Sequence, residues 1–176
     1  NDQYLKEGFY QSNQDLIIYN TAIIDLSGDD QYLSTANRGL SSAILGISLL
    51  VDKKGADSYI SKTWAQSSAF AGISILYDLS GDDTYKADSF SQASALFGEA
   101  VLADIAGNDT YSIKHHGQGL GLPFAYGFLF DLQGDDAYIS QNGLTSSYTN
   151  SLNTLNISKT TESWSQGCGK GFRYIL

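Results

Sequence analysis

Residues 78–85 read Asp78-Leu79-Ser80-Gly81-Asp82-Asp83-Thr84-Tyr85, and the chain contains five versions of this stretch. The shared motif is Asp, two residues, Gly, one residue, Asp, one residue and Tyr. The copies begin at Asp25, Asp52, Asp78, Asp104 and Asp131, which lie 27, 26, 26 and 27 residues apart. A fixed period of this length is typical of repeat proteins, in which each unit buries its apolar side against its neighbours.

The residues that precede each motif predict a β-strand with one face in a tight interior. Two positions before the first Asp the side chain is always aliphatic, and four positions before it the side chain is always small. The aliphatic column is Ile23, Leu50, Leu76, Leu102 and Leu129, and the small column is Thr21, Ser48, Ser74, Ala100 and Gly127. Selection at every second position indicates a strand. The positions between are often apolar too, which favours a strand covered on both faces.

A second short strand follows each motif Tyr, as in Tyr59-Ile60-Ser61, and no segment has a clear helical period. We therefore predict an all-β fold, a parallel β-solenoid of five to six coils with 26–27 residues in each. Equivalent residues of successive coils would then stack about 4.8 Å apart. The alternative is a series of antiparallel hairpins or propeller blades, which would not require the column of small residues.

The domain organisation follows from where the motifs occur. Residues 1–141 hold the repeats, and residues 142–162 form a segment rich in Ser, Thr and Asn that contains no motif. We expect this segment to be an insertion loop that projects from one coil. Residues 163–176 resemble the start of a further repeat. Because both ends of the chain fall inside a repeat, we expect the chain to be a fragment of a longer protein.

Composition excludes some classes of partner. The net charge of −9 argues against nucleic-acid binding, which requires a basic patch. No run of eighteen apolar residues is present, so we expect no membrane span. The single Cys168 excludes an internal disulfide framework. Most of the nineteen acidic residues lie within the five motifs, so the negative charge is predicted to form a column.

Stacked carboxylates pose an electrostatic problem, because like charges opposite each other on adjacent strands repel. At about 5 Å and an effective dielectric constant of 20, each close pair costs on the order of 3 kcal/mol. Two arrangements would relieve this repulsion. Either a cation bridges the coils, or the aspartates accept hydrogen bonds from backbone N–H groups and Tyr hydroxyls in a metal-free turn. The sequence leaves both open.

Ser80-Gly81-Asp82-Asp83-Thr84-Tyr85 and its equivalent at residues 106–111 resemble the second half of the calcium-binding nonapeptide of RTX proteins, which reads Gly-Gly-x-Gly-x-Asp. The resemblance covers about six residues of each repeat. It implies that Asp83 and its equivalents hold calcium, and it implies an extracytoplasmic location: the cell surface, the periplasm or secretion. With the first Asp of each motif included, the predicted metal ligands are Asp25, Asp30, Asp52, Asp57, Asp78, Asp83, Asp104, Asp109, Asp131 and Asp136. Calcium prefers six to eight oxygen ligands, which such corners can supply.

Three other features of the sequence are candidate sites. His115 and His116 are neighbours on a predicted strand, so their side chains should point to opposite faces and make a poor joint metal site. Gln recurs seven residues after the motif Tyr, for example at Gln66 and Gln92, and this column could form an amide ladder. The run Gly167-Cys168-Gly169-Lys170-Gly171 lacks the spacing of a phosphate-binding loop, which excludes a nucleotide site of that type.

Three functions fit these observations. The first is a structural repeat or assembly module of a larger surface, envelope or secreted protein. It would be stiffened by calcium and would contact other subunits or flanking domains through the apolar strand face that includes Ile73 and Ile75. The second is a glycan-binding solenoid, with Trp64, Trp164 and the tyrosines as stacking platforms. The third is an enzyme that acts on polysaccharides through paired carboxylates. We expect no enzyme, because nothing in the sequence distinguishes one carboxylate pair from the others.

Overall fold

The computed structural model describes residues 1–6, 20–35 and 37–140. It contains fifteen β-strands, numbered here in chain order, and every strand pairing is parallel. The strands form three sheets, each of which takes one strand from each successive coil. The fold is therefore a parallel β-solenoid of about five coils, as the sequence predicted. The antiparallel alternative is wrong. The predicted insertion at 142–162 and the further repeat at 163–176 lie outside the described residues.

The three sheets differ in length. The six-stranded sheet contains β1 (Gln3–Lys6), β3 (Gln31–Ser34), β6 (Ser58–Ile60), β9 (Thr84–Ser91), β12 (Thr110–Gly117) and β15 (Ala137–Ser140). The five-stranded sheet contains β2 (Thr21–Ile24), β5 (Ile47–Asp52), β8 (Ile73–Asp78), β11 (Glu99–Asp104) and β14 (Tyr126–Asp131). The four-stranded sheet contains β4 (Ser42–Ile44), β7 (Ser68–Phe70), β10 (Ser94–Leu96) and β13 (Leu120–Gly121).

The core is built from residues that repeat once per coil. The motif tyrosines pair in register and stack face to face, with ring centroids 4.7 Å apart from Tyr32 to Tyr59 and from Tyr59 to Tyr85. The aliphatic column of the five-stranded sheet packs against them, and Leu50, Leu76 and Leu102 are buried. Both columns follow from a repeat of nearly constant length, because an equal number of residues per coil brings equivalent side chains into contact.

The motif glycine allows the coils to approach closely at each corner. Gly81 has a φ of +155°, and a Cβ at this position would lie 1.5 Å from the carbonyl oxygen of Gly55 in the preceding coil. Only glycine avoids both the unfavourable backbone angle and this overlap. The corner places the last Asp of the motif, which follows two residues after the Gly, inside the solenoid.

One face of the five-stranded sheet is apolar and open to solvent. Its outward positions are Ala22 and Ile24; Ile47, Leu49 and Val51; Ile73, Ile75 and Tyr77; Glu99, Val101 and Ala103; and Tyr126, Phe128 and Phe130. We call this set the apolar face. Glu99 is its only charged member. Many members are exposed, including Ile47 at 52% and Phe130 at 47%. The sequence predicted that this face would be covered, and no described residue of the chain covers it.

Candidate functional site: the aspartate column

All ten aspartates that the sequence predicted as metal ligands come together in the interior column. They form four groups in which one ligand atom from each residue lies within 4.8 Å of those of the other two. The groups are Asp25, Asp30 and Asp52; Asp52, Asp57 and Asp78; Asp78, Asp83 and Asp104; and Asp109, Asp131 and Asp136. Eight of the ten side chains are buried, and only Asp131 and Asp136 are partly exposed. The sequence predicted the stacking but did not reveal that the column is enclosed.

The last Asp of each motif links two coils through one carboxylate oxygen. Asp57 N–H donates to Asp83 Oδ1 at 2.7 Å, and Asp83 N–H donates to Asp109 Oδ1 at 2.7 Å. The same bond joins Asp30 N–H to Asp57 Oδ1 at 2.6 Å. The other oxygen, Oδ2, is buried without a hydrogen-bond partner among the described protein groups in Asp30, Asp57, Asp83 and Asp109. Each of these carboxylates is therefore only half satisfied.

The first Asp of each motif accepts from a tyrosine hydroxyl, and in the first three motifs it also accepts from a backbone N–H of its own turn. Tyr59 donates its hydroxyl proton to Asp78 Oδ2 at 2.6 Å, and Ser80 N–H donates to Asp78 Oδ1 at 3.2 Å. Tyr85 donates in the same way to Asp104 Oδ2 at 2.7 Å. Asp104 Oδ1 is buried and has no partner among the described groups. The expected bonds to backbone and Tyr hydroxyls thus occur, but they leave part of the column unsatisfied.

Burial makes the ionised form of these carboxyls unfavourable. Loss of hydration raises the pKa of Asp57 to about 7, of Asp83 to about 9 and of Asp109 to about 7, and neighbouring aspartates add to the effect. The pKa of Asp78 is raised to about 6 by the same loss of hydration, which the bond from Tyr59 partly opposes. Unpaired buried charge costs several kcal/mol, so the column requires either protons or a cation.

The geometry and charge of the column suit a divalent cation. Two oxygens bound to one calcium ion at about 2.3–2.6 Å can be no more than about 5 Å apart, and the 4.8 Å limit of each group satisfies this condition. The column holds ten aspartates in four groups, so one divalent cation in each group would offset eight of the ten negative charges. Six aspartates of the column each have one buried carboxylate oxygen without a partner among the described groups, and carboxylate oxygens are the ligand type that calcium prefers.

The glutamine column does not form the amide ladder that was considered. Instead, Gln92 Nε2 donates to the carbonyl of Tyr85 in its own coil and to that of Ser112 in the next coil, both at 3.0 Å. Gln66 makes the equivalent pair of bonds at 2.8 Å. The side chain therefore bonds two coils through their backbones, because the amide nitrogen lies between successive carbonyls.

The prediction for His115 and His116 is also wrong. Their side chains do not point to opposite faces, and the two Nδ1 atoms lie 2.8 Å apart. His116 has a φ of 56°, in the left-handed region, which interrupts the alternation of the strand. Sequence reasoning missed this because a positive φ is uncommon for a residue other than glycine.

A small cavity lies beside the four-stranded sheet. It has a volume of about 200 Å³ and is lined by Arg38, Ser42, Ala43, Ile44, Trp64, Phe70 and Leu96. Trp64 stacks on Phe90 with ring centroids 4.9 Å apart and an angle of 5° between the ring planes. The motif tyrosines, which were predicted as a second aromatic platform, are buried in the core from Tyr32 to Tyr111.

No family model, no curated protein and no solved structure matches this chain. Within the described part of the chain, no helix has the length and apolar character needed to cross a membrane.

Proposed function

We propose that this chain is a structural assembly module of a larger surface, envelope or secreted protein. The observation that carries the proposal is the apolar face of the five-stranded sheet. Five strands at about 4.8 Å spacing and six residues at about 3.3 Å give a flat surface of roughly 500 Å². This area is that of the largest apolar patch on a typical soluble protein, about 300–600 Å², and such patches are often functional.

The partner proposed for the apolar face is a second protein sheet, from another subunit or a flanking domain. Side chains such as Ile73, Tyr77 and Phe128 project from regular strands and leave a pleated surface, which packs against another sheet at about 10 Å. Glu99 introduces one charge near the edge, where it can remain hydrated. The extracytoplasmic location is supported by the resemblance of the motif to RTX repeats.

The second part of the proposal is that calcium bound to the aspartate column stiffens the module. One ion per coil would neutralise two carboxylates and would join consecutive coils through shared ligands, since Asp52 and Asp78 each belong to two groups. The unpartnered buried oxygens support this more strongly than the charge alone, because a self-sufficient turn would leave none.

Changing two outward residues tests the assembly proposal. Ile73→Asp combined with Ile75→Asp places two charges on the apolar face, and we expect the mass in solution to fall to that of the monomer. The control is Ile60→Asp combined with Ile139→Asp, which alters two isoleucines of the six-stranded sheet that are 42% and 45% exposed. Light scattering would measure the mass, and circular dichroism would establish that each variant is folded. A wild-type chain that is monomeric at high concentration would exclude a second copy as the partner, and an assembly that the first pair leaves unchanged would reject the interface.

A second candidate function is glycan binding, which the cavity beside Trp64 favours. Its lining combines the guanidinium of Arg38 with two aromatic rings, Trp64 and Phe70. The rings of Trp64 and Phe90 stack on each other, and Phe90 also stacks on His116, so a sugar would contact the edges of the rings. A glycan array probed with the wild-type chain and with Trp64→Ala tests this function. Binding that is absent, or that is the same in both proteins, would remove it.

A further inference from the structure

The coil that contains β12 differs from its neighbours at one corner of the solenoid. Residues at this corner form a column of Arg38, Trp64, Phe90 and His116, and all four have a left-handed backbone, with φ of 65°, 57°, 47° and 56°. The preceding residue is Thr63 after β6, Ser89 in β9 and His115 in β12. Two imidazoles therefore replace a small hydroxyl residue and an aromatic ring, and this substitution is confined to one coil of the described solenoid.

The backbone of this corner holds the two imidazoles together. The left-handed conformation of His116 brings its ring to the same side as that of His115, with the ring centroids 5.0 Å apart and the planes at 87°. His116 also stacks on Phe90 at 4.8 Å, which restricts the rotation of its ring. The adjacent Lys114 forms an ion pair with Asp88 at 2.6 Å on the neighbouring strand. Both histidines are partly exposed, so a hydrated ion can reach them.

We propose that His115 and His116 form a binding site for a square-planar divalent cation, with copper(II) preferred to nickel(II). The two Nδ1 atoms lie 2.8 Å apart and are joined by one hydrogen bond. Two nitrogens that bind one metal at about 2.0 Å lie about 2.8–3.3 Å apart, so an ion can replace the hydrogen bond between these two rings without separating them. Square-planar geometry with nitrogen and oxygen ligands is characteristic of these two metals, and copper(II) binds most tightly in the divalent series.

The protein supplies two ligands in this site, and water supplies the others. Neutral imidazole is the form that binds metal. Burial lowers the pKa of His115, and Lys114 acts in the same direction while Asp88 opposes it, so the neutral ring is favoured near pH 7. In the metal-free protein one Nδ1–H donates to the other Nδ1. Binding moves that proton to Nε2 of the same ring, so both Nδ1 lone pairs face the metal and no proton is released.

This site is separate from the aspartate column in both position and chemistry. The column offers only oxygen ligands in a buried interior, which suit calcium. The histidine pair offers nitrogen at a partly exposed corner. Saturating calcium should therefore leave copper binding at His115 and His116 unchanged, which allows the two sites to be measured independently.

The repeat itself provides the control substitutions. His116→Phe introduces the residue found at Phe90, and His115→Ser introduces the residue found at Ser89, so each variant keeps a side chain that this corner already accepts. All measurements are made on the full chain with Cys168→Ser, because a thiol reduces copper(II), and in saturating calcium. Titration calorimetry with copper(II) and with nickel(II) would give affinity and stoichiometry, and electron paramagnetic resonance would count the nitrogens bound to copper.

We expect one copper(II) ion per chain with two bound nitrogens, and each variant should weaken binding at least about tenfold without lowering the unfolding midpoint. The variant that combines His115→Ser with His116→Phe measures any copper binding elsewhere on the chain. Equal affinity in the wild type and the double variant would overturn the proposal. A spectrum with a single bound nitrogen, or zinc bound more tightly than copper, would also overturn it.

Discussion

The backbone N–H of Asp57 donates to Asp83 Oδ1 at 2.7 Å, while Asp83 Oδ2 is buried without a partner among the described groups. This relationship joins two consecutive coils and recurs along the column, from Asp30 to Asp109. It explains why an aspartate is required at this position, since one oxygen completes the backbone bonding of the preceding coil. It also shows that the backbone uses only half of the carboxylate and leaves the other half for a proton or a cation.

Asp83→Asn should change stability in opposite directions with and without calcium. The amide keeps an oxygen that can accept from Asp57 N–H, but it removes the charge. With calcium bound, the loss of a ligand should lower the free energy of unfolding, by about 1.4 kcal/mol for each tenfold loss of affinity. In excess chelator at neutral pH the same substitution should raise the unfolding midpoint, because Asp83 must take up a proton on folding whereas the amide is already neutral.

Asp82→Asn is the matched control for that prediction, because Asp82 is adjacent and exposed. It should change the free energy of unfolding by less than about 0.5 kcal/mol in either condition. Thermal unfolding followed by circular dichroism measures both variants. A midpoint for Asp83→Asn that moves in the same direction with calcium and with chelator would contradict the role of this carboxylate as a metal ligand.

Metal-free protein should lose stability as the pH rises. Folding raises the pKa values of Asp78, Asp57 and Asp83 to about 6, 7 and 9, above the unfolded value of about 3.9. The native state therefore binds more protons than the unfolded chain, so stability is highest below about pH 4 and falls as the pH rises through these values.

Calcium should reduce this fall, because calcium binds the ionised carboxylates that high pH produces. Unfolding midpoints measured from pH 5 to pH 9 in chelator and in calcium would give the two curves. Parallel curves, or a metal-free protein that gains stability towards pH 9, would show that the column does not titrate in this way.

Tyr85→Phe should destabilise the protein although the aromatic ladder remains. The substitution keeps the ring between Tyr59 and Tyr111 but removes the hydroxyl that donates to Asp104 Oδ2. Leaving a buried acceptor without its donor costs about 1–3 kcal/mol. Tyr77→Phe removes a hydroxyl from the exposed apolar face and should cost less than about 0.5 kcal/mol. Chemical denaturation would compare the free energies of unfolding of the two variants. Equal losses of stability would mean that the bond from the Tyr85 hydroxyl to Asp104 does not stabilise the fold.

The solenoid could be predicted from the sequence because the repeat length and the columns of equivalent residues do not depend on the exact geometry of each coil. A step of 26 or 27 residues requires Tyr59 to lie over Tyr32 and Leu76 over Leu50, and both pairs are in register. The partner of Asp83 Oδ1 could not be predicted, because that bond depends on the exact position of one coil relative to the next. The pairing of His115 with His116 was missed because a single left-handed residue reverses the direction in which a side chain points.

The sequence also favoured coverage of both faces of the strands that contain Ile73 and Ile75. Apolar residues at alternate positions show which surface avoids water, but they do not show whether the same chain or a partner covers it. In the structure the inner face packs on the tyrosine ladder through residues such as Leu76, whereas Ile73 remains 39% exposed. A partner that covers Ile73 and the other outward residues would therefore explain why this exposed face is apolar.

The most direct test is thermal unfolding of the wild-type chain, first in about 2 mM calcium and again in excess chelator. This calcium concentration fills sites of the affinity found in extracellular modules. The aspartate column predicts a large rise in the midpoint with calcium, since a ligand that binds only the native state must stabilise it. Native mass spectrometry in calcium should show one ion for each of the four groups. Unfolding curves that coincide, with no bound ion, would contradict the calcium site and would mean that protons alone satisfy the column.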